Sequence, residues 1–126
     1  MKHDISVPVS RIPVFLDRAR AALDAAFPGV RYFVFGHLGD GNLHYNLSSP
    51  SGGAPAEFIA ETPRANRIVY DLVAEQGGSF SAEHGIGQMK RADLARYKPA
   101  IEVELMRRIK HALDPDSLLN PGKVLP

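Results

Sequence analysis

Residues 31–48 constrain the fold of this chain most strongly, because two strand-like runs flank a short turn that contains two glycines. The runs read RYFVFGH and NLHYNLS and are rich in aromatic and β-branched side chains. Between them, Asp40-Gly41 is a pair favoured in two-residue type I′ hairpin turns. With that turn, the numbers of cross-strand partners sum to 81, so His37 is predicted directly opposite His44.

This pairing would bring two imidazoles together on one face of the sheet. Directly opposed side chains have Cβ atoms about 4.5–5.5 Å apart, a separation at which two rings can bind one metal ion. Alternation along the strand places Asn46 on the same face and supplies an amide beside the rings. A glycine-rich hairpin whose histidines are only polar surface residues is the alternative interpretation, and the residues leave both open.

The remaining pattern predicts an α+β fold. The other elements expected are a strand within 1–9, a helix over 11–26 capped by Ser10, a loop over 48–57, a helix over 62–76, an extended segment in GSFSAEHGIG, and helices over 91–97 and 98–113. This βαββαβαα order predicts an antiparallel sheet with helices packed on one face, as a ferredoxin-like cap followed by C-terminal helices. A single domain over 1–126 is expected, and the last helix is expected to turn Leu105, Met106, Ile109 and Leu113 inward.

Composition excludes several functional classes. Fifteen Lys and Arg nearly balance fourteen Asp and Glu, so the chain lacks the basic surface that nucleic-acid binding requires. Five histidines and no cysteine restrict any metal site to nitrogen and oxygen ligands. No apolar run approaches the roughly 20 residues of a membrane span, and the charged first residues do not read as a signal peptide. A cytoplasmic location is therefore expected.

A third metal ligand is predicted in the segment SAEHGIG. The carboxylate of Glu83 would complete a His₂Glu set with open coordination positions, typical of a catalytic rather than a structural ion. Neighbouring residues of an extended chain point to opposite sides, which leaves His84 available as a base. Gly85 lacks a Cβ atom, so the backbone there can approach a flat ligand closely. A solvated polar pair in a loop is the alternative for Glu83 and His84.

Three stretches together carry a family resemblance: FGHLGDGNLHYN, SFSAEHGIGQMKR and LDPDSLLNPGKVLP. In this order and spacing they resemble the C-terminal domain of the FAD-linked oxidases of vanillyl-alcohol-oxidase type, which include D-lactate, glycolate and D-2-hydroxyglutarate dehydrogenases. The resemblance extends nearly end to end, since KHDISVPVSRIP is similar to the segment that enters that domain.

The resemblance implies a role for each matching position. His37 and His44 would hold a divalent metal, with zinc as the expected ion and Glu83 as the third ligand. His84 would take the proton of the substrate hydroxyl, while Asn46 would contact the substrate. The other positions implied are Lys2 for a substrate carboxylate and Asn120 for the neighbourhood of the flavin. Hydride would pass from C2 of a D-2-hydroxy acid to FAD, which yields the 2-oxo acid.

The chain has no glycine-rich nucleotide-binding stretch, so the FAD-binding domain is expected to be absent from it and to act as a partner in cis or in trans. Alone, the chain is expected to bind metal without turning over substrate, and to expose an apolar face that could support self-association. Two alternatives remain open. One is a stand-alone, metal-dependent small-acid binding or interaction module, and the other is a metallohydrolase that uses His37, His44 and Glu83.

Overall fold

A computed structural model describes all 126 residues and divides them into two compact units, Met1–His84 and Gly85–Pro126. The elements of the first unit are β1 (Asp4–Ser6), α1 (Ile12–Ala26), β2 (Arg31–His37), β3 (Asn42–Ser48), α2 (Pro55–Ala60) and α3 (Thr62–Glu75). The second unit contains α4 (Arg91–Tyr97) and α5 (Ala100–Leu113). The predicted α+β class with an antiparallel sheet is confirmed. No helix is both long enough and apolar enough to cross a bilayer.

The three strands form one antiparallel sheet in the order β1-β3-β2. The predicted two-residue turn is wrong, because a 3₁₀ turn over Leu38–Asp40 and the left-handed Gly41 together connect β2 to β3. His37 therefore pairs with Asn42, and Phe35 is the residue opposite His44. The register differs from the prediction by two residues, an even number, so His37 and His44 still lie on the same face.

The other face of the sheet carries the core of the first unit. Alternate residues of β3 are buried there, and the ring of Tyr45 packs edge-on against Phe15 of α1 at 5.7 Å. The ring of Tyr70 in α3 meets His3 at 5.9 Å. His3 is buried, and its Nδ1 lies 2.7 Å from the carbonyl oxygen of Tyr45, so this histidine belongs to the core.

Several predicted elements differ in detail. The extended segment after α3 makes a single bridge, in which Ser6 and Ser79 exchange two backbone hydrogen bonds of 2.8 Å. In a ferredoxin-like cap, a fourth strand would pair with β1 at the position of this bridge. Ser10 does not cap α1, because residues Val9–Arg11 form a 3₁₀ turn instead. The predicted loop over 48–57 is shorter than expected, since α2 begins at Pro55.

In the second unit, the predicted inner face of α5 is mostly exposed. Leu105, Ile109 and Leu113 are solvent-accessible, with Leu113 at 78%, and only Val103 of this helix is buried. The seven-residue α4 is too short to cover a helix of fourteen residues. The inward orientation predicted for these three leucine and isoleucine side chains is therefore wrong within this unit, while Met106 is half-buried.

Candidate metal and substrate site

On the face of the sheet opposite the core, side chains from the three strands lie in rows. One row contains Asp4, His44 and Phe35, and the next contains Ser6, Asn42 and His37. Backbone hydrogen bonds from Tyr45 to His3 and from Leu47 to Met1 continue the β1–β3 ladder by one further row. That row places Lys2 opposite Asn46, on the same face as the two histidines.

The carboxylate of Glu83 lies between the two predicted histidine ligands. Its Oε1 is 3.0 Å from Nδ1 of His37, and its Oε2 is 3.6 Å from Nε2 of His44. The side-chain amide of Asn42 donates a hydrogen bond to Oε1. His37 is largely exposed at 66%, whereas His44 is at 19%, so the cluster is open on the side of the turn.

Glu83 contacts each histidine through a different carboxylate oxygen. Ligand atoms placed about 2.0–2.1 Å from a tetrahedral ion are separated from one another by about 3.4 Å. The two contacts of Glu83 lie on either side of that value, and imidazole nitrogen and carboxylate oxygen are common zinc ligands. The group whose ligand atoms all lie within 4.8 Å of one another is a different one, Asp4, His44 and His84. The hydrogen bond from Asn42 orients the Glu83 carboxylate next to the two histidines.

His84 lies beside this cluster. Its ring is 67% exposed, its centroid is 5.9 Å from that of His44, and its Nδ1 is 3.8 Å from Oδ2 of Asp4. Asp4, His44 and His84 offer ligand atoms that all lie within 4.8 Å of one another, so His44 belongs to this group and also contacts Glu83. Sequence reasoning missed Asp4 and Asn42, because only the strand register places them next to the histidines.

The other predicted positions lie elsewhere. Gly85 begins the second unit with φ +71°, and an added Cβ there would meet no atom within 4 Å. Asn120, also in the second unit, lines a mainly apolar cavity of about 460 Å³ beside the exposed face of α5. Next to Glu83, a polar cleft of about 300 Å³ opens in the first unit. It is lined by Ser6, Asp40, Asn42, Ser79, Ser81, Ala82 and Glu83.

Comparison with known proteins identifies close relatives. The chain is 44% identical to a D-2-hydroxyglutarate dehydrogenase of Xanthomonas citri pv. viticola over 123 residues, which are 98% of this chain and 26% of that protein. It is 39% identical to a D-2-hydroxyglutarate dehydrogenase of Stutzerimonas stutzeri, with the same coverage. A mitochondrial D-2-hydroxyglutarate dehydrogenase of Bos taurus is 40% identical over 99% of this chain and 22% of its own length.

The chain thus spans about a quarter of the length of the curated relatives that it matches. The family model described as "FAD linked oxidases, C-terminal domain" matches residues 1–124, which include both histidines of the hairpin and the Glu83-His84 pair. This match confirms the predicted resemblance: the chain belongs to the family of FAD linked oxidases, as their C-terminal domain.

Proposed function

We propose that this chain is the metal- and substrate-binding part of an FAD-dependent dehydrogenase that oxidises a D-2-hydroxy acid, D-2-hydroxyglutarate or a close analogue, to the 2-oxo acid. The observation that carries the proposal is the position of the Glu83 carboxylate between His37 and His44. The names of its relatives support the substrate class. The FAD-binding domain is the partner that the proposal requires, in cis or in trans.

The proposed metal ligands are His37, His44 and Glu83, with zinc as the expected ion. A bound ion would supply Lewis-acid chemistry, holding the 2-hydroxyl and lowering its pKa. The chain itself contributes the contacts of Glu83 with both imidazoles and the amide of Asn42, which keeps the carboxylate aimed at them. A three-residue set leaves room for the substrate oxygens.

His84 is the proposed base for the substrate hydroxyl proton. Imidazole is the side chain best suited to accept a proton near neutral pH. The ring is exposed and stands next to His44, so a hydroxyl held at the metal ligands would lie within its reach. FAD would take up the hydride from C2, and Gly85 and Asn120 are the residues of this chain proposed near it.

Lys2 and Asn46 are the proposed contacts for the rest of the substrate. Their row lies two residues along the strands from the row of His44, a spacing of about 7 Å. This separation suits a five-carbon diacid, with one carboxylate near the metal ligands and the other near the ammonium group of Lys2. A monocarboxylic acid such as lactate would leave Lys2 without a partner, so this row favours the diacid.

Metal binding by the chain tests the first part of the proposal. The wild-type chain and His111→Ala, a control on the exposed face of α5, are expected to bind one zinc ion per chain. His44→Ala and Glu83→Gln are expected to lose that ion, measured by metal analysis after dialysis. An unchanged zinc content in His44→Ala would remove this site from the proposal.

Turnover also requires the FAD-binding domain, so activity is tested in a chimeric enzyme. The chain would replace the matching C-terminal quarter of the Xanthomonas citri dehydrogenase. We expect oxidation of D-2-hydroxyglutarate, a decrease of about 10²–10⁴-fold in kcat for His84→Ala, and a higher KM for Lys2→Met. A folded, flavin-containing chimera that binds zinc and does not oxidise any D-2-hydroxy acid would instead support the binding-module alternative.

A further inference from the structure

We propose that Asp4 is a positioning residue that holds Glu83 and His84 in place, an inference that rests on the function proposed above. Asp4 lies in β1 directly opposite His44, and only 3% of it is exposed. Its Oδ2 accepts hydrogen bonds from the backbone N–H groups of both Glu83, at 2.9 Å, and His84, at 2.8 Å.

The segment that carries Glu83 and His84 is irregular. Residues 81–84 belong to no helix or strand, and the extended segment pairs with β1 only at Ser79. A weaker backbone bond of 3.3 Å joins the N–H of Ala82 to the carbonyl oxygen of Asp4. The two bonds to the Asp4 carboxylate are shorter, and charge assistance strengthens them.

The same bonds explain why a carboxylate is tolerated in so buried a position. A buried carboxylate is unfavourable unless hydrogen-bond donors compensate for the lost water. Two backbone donors on Oδ2 provide part of that compensation, and they fix the orientation of two successive peptide groups. The side chain of Glu83 then leaves a fixed backbone in the direction of His37 and His44.

Asp4 also faces the ring of His84, at 3.8 Å from Nδ1. One carboxylate is thereby placed to hold the backbone of the proposed third ligand and to adjoin the ring of the proposed base. The histidines and Glu83 make the direct contacts to metal and substrate in this proposal. Asp4 acts through them, as an outer partner whose loss typically weakens metal binding about 10–100-fold.

Amide hydrogen exchange of the metal-free chain tests the contact. In the wild type, the amides of Glu83 and His84 are expected to exchange slowly although they lie in an irregular segment. In Asp4→Asn, which keeps an acceptor oxygen and loses the charge, their exchange is expected to accelerate at least about tenfold. The amides of Tyr45 and Leu47, which bond to the β1 side of the ladder, are expected to stay protected.

Zinc affinity tests the consequence, and Asp114→Asn is the matched control. Asp114 is another buried carboxylate that accepts two successive backbone N–H groups, from Leu118 and Leu119, but it belongs to the second unit. Asp4→Asn is expected to raise the zinc Kd about 10–100-fold, whereas Asp114→Asn should leave it within about twofold of the wild type.

Three results would overturn the inference. Rapid exchange of the Glu83 and His84 amides in the wild type would show that Asp4 does not hold them, whatever the fate of the variant. Equal loss of protection at Tyr45 and Leu47 in Asp4→Asn would reduce its role to general sheet stability. If the Glu83 and His84 amides lose protection in Asp4→Asn and the zinc Kd stays unchanged, the contact does not support metal binding. A wild-type chain that binds no zinc contradicts the proposed metal site, and the metal-free exchange still decides whether Asp4 holds the segment.

Discussion

Gly41 is the position where one added methyl group should destabilise the first unit most clearly. Its φ of +77° is left-handed, and an added Cβ would lie 2.1 Å from the carbonyl oxygen of Val7. Alanine costs about 1–2 kcal/mol in a left-handed conformation. The shift that relieves the contact would also break the bond from the Val7 N–H to the Gly41 carbonyl, worth about 1 kcal/mol. After a gain of about 0.4–1 kcal/mol from the less flexible unfolded chain, Gly41→Ala should lower the free energy of unfolding by about 2 kcal/mol.

Two other glycines separate these contributions. Gly52 has the same φ with no atom within 4 Å of an added Cβ, so Gly52→Ala should cost only about 1 kcal/mol. Gly39 lies in the same turn as Gly41, without positive φ and in open space, and Gly39→Ala should be neutral or slightly stabilising. Urea unfolding followed by circular dichroism measures all three, with the Gly41→Ala midpoint expected about 1 M lower. A Gly41→Ala effect no larger than that of Gly52→Ala would refute the argument from the Val7 contact.

Three further predictions concern pH and the core. The hydrogen bond from Lys110 lowers the pKa of Asp114, so its stabilising contribution is complete above the unfolded value of 3.8 and is lost as the pH falls through the lower folded value. As the pH is lowered below 3.8, the free energy of unfolding of Asp114→Asn should therefore fall less steeply than that of the wild type. Burial raises the pKa of Tyr45 to about 12, so stability should fall as the pH rises from about 10 to 12, and less so in Tyr45→Phe; absorbance titration at alkaline pH provides the check. Leu23→Ala, at a fully buried position, should lower the free energy of unfolding by about 2–5 kcal/mol, whereas Leu113→Ala, 78% exposed, should change it by less than about 0.5 kcal/mol in the same urea assay.

Local patterns in the chain were sufficient to predict most of the elements. The two runs beside the turn became β2 and β3 with the predicted limits, and α4 lies where the short helix over 91–97 was expected. These segments were predictable because residue propensity, hydrophobic periodicity and the nearby glycine and proline residues all indicate the same element. The ligand roles of His37, His44 and Glu83 remain predictions, although the structure brings these three side chains together.

The turn and the C-terminal helix show where local reasoning failed. Asp40-Gly41 suits a type I′ turn, but Gly41 also bonds to Val7 in another part of the chain, and that contact accompanies a longer connection. The apolar stripe of α5 predicted a buried face, yet such a stripe indicates only that the helix has a face able to pack against another element. Whether a covering element is present depends on the rest of the fold, and α4 is too short to provide one.

The sequence by itself determined that His44 and Asn46 share one face of β3, because side chains alternate with a period of two along a strand. His37 of β2 shares that face because the predicted register was wrong by an even number of residues. Only the tertiary structure decided which residues meet across that face. The contacts of Glu83 with both histidines, and of Asp4 with the backbone of Glu83 and His84, join positions about 40 to 80 residues apart in the chain. Such contacts depend on how the segment after α3 returns to β1, which no local pattern encodes.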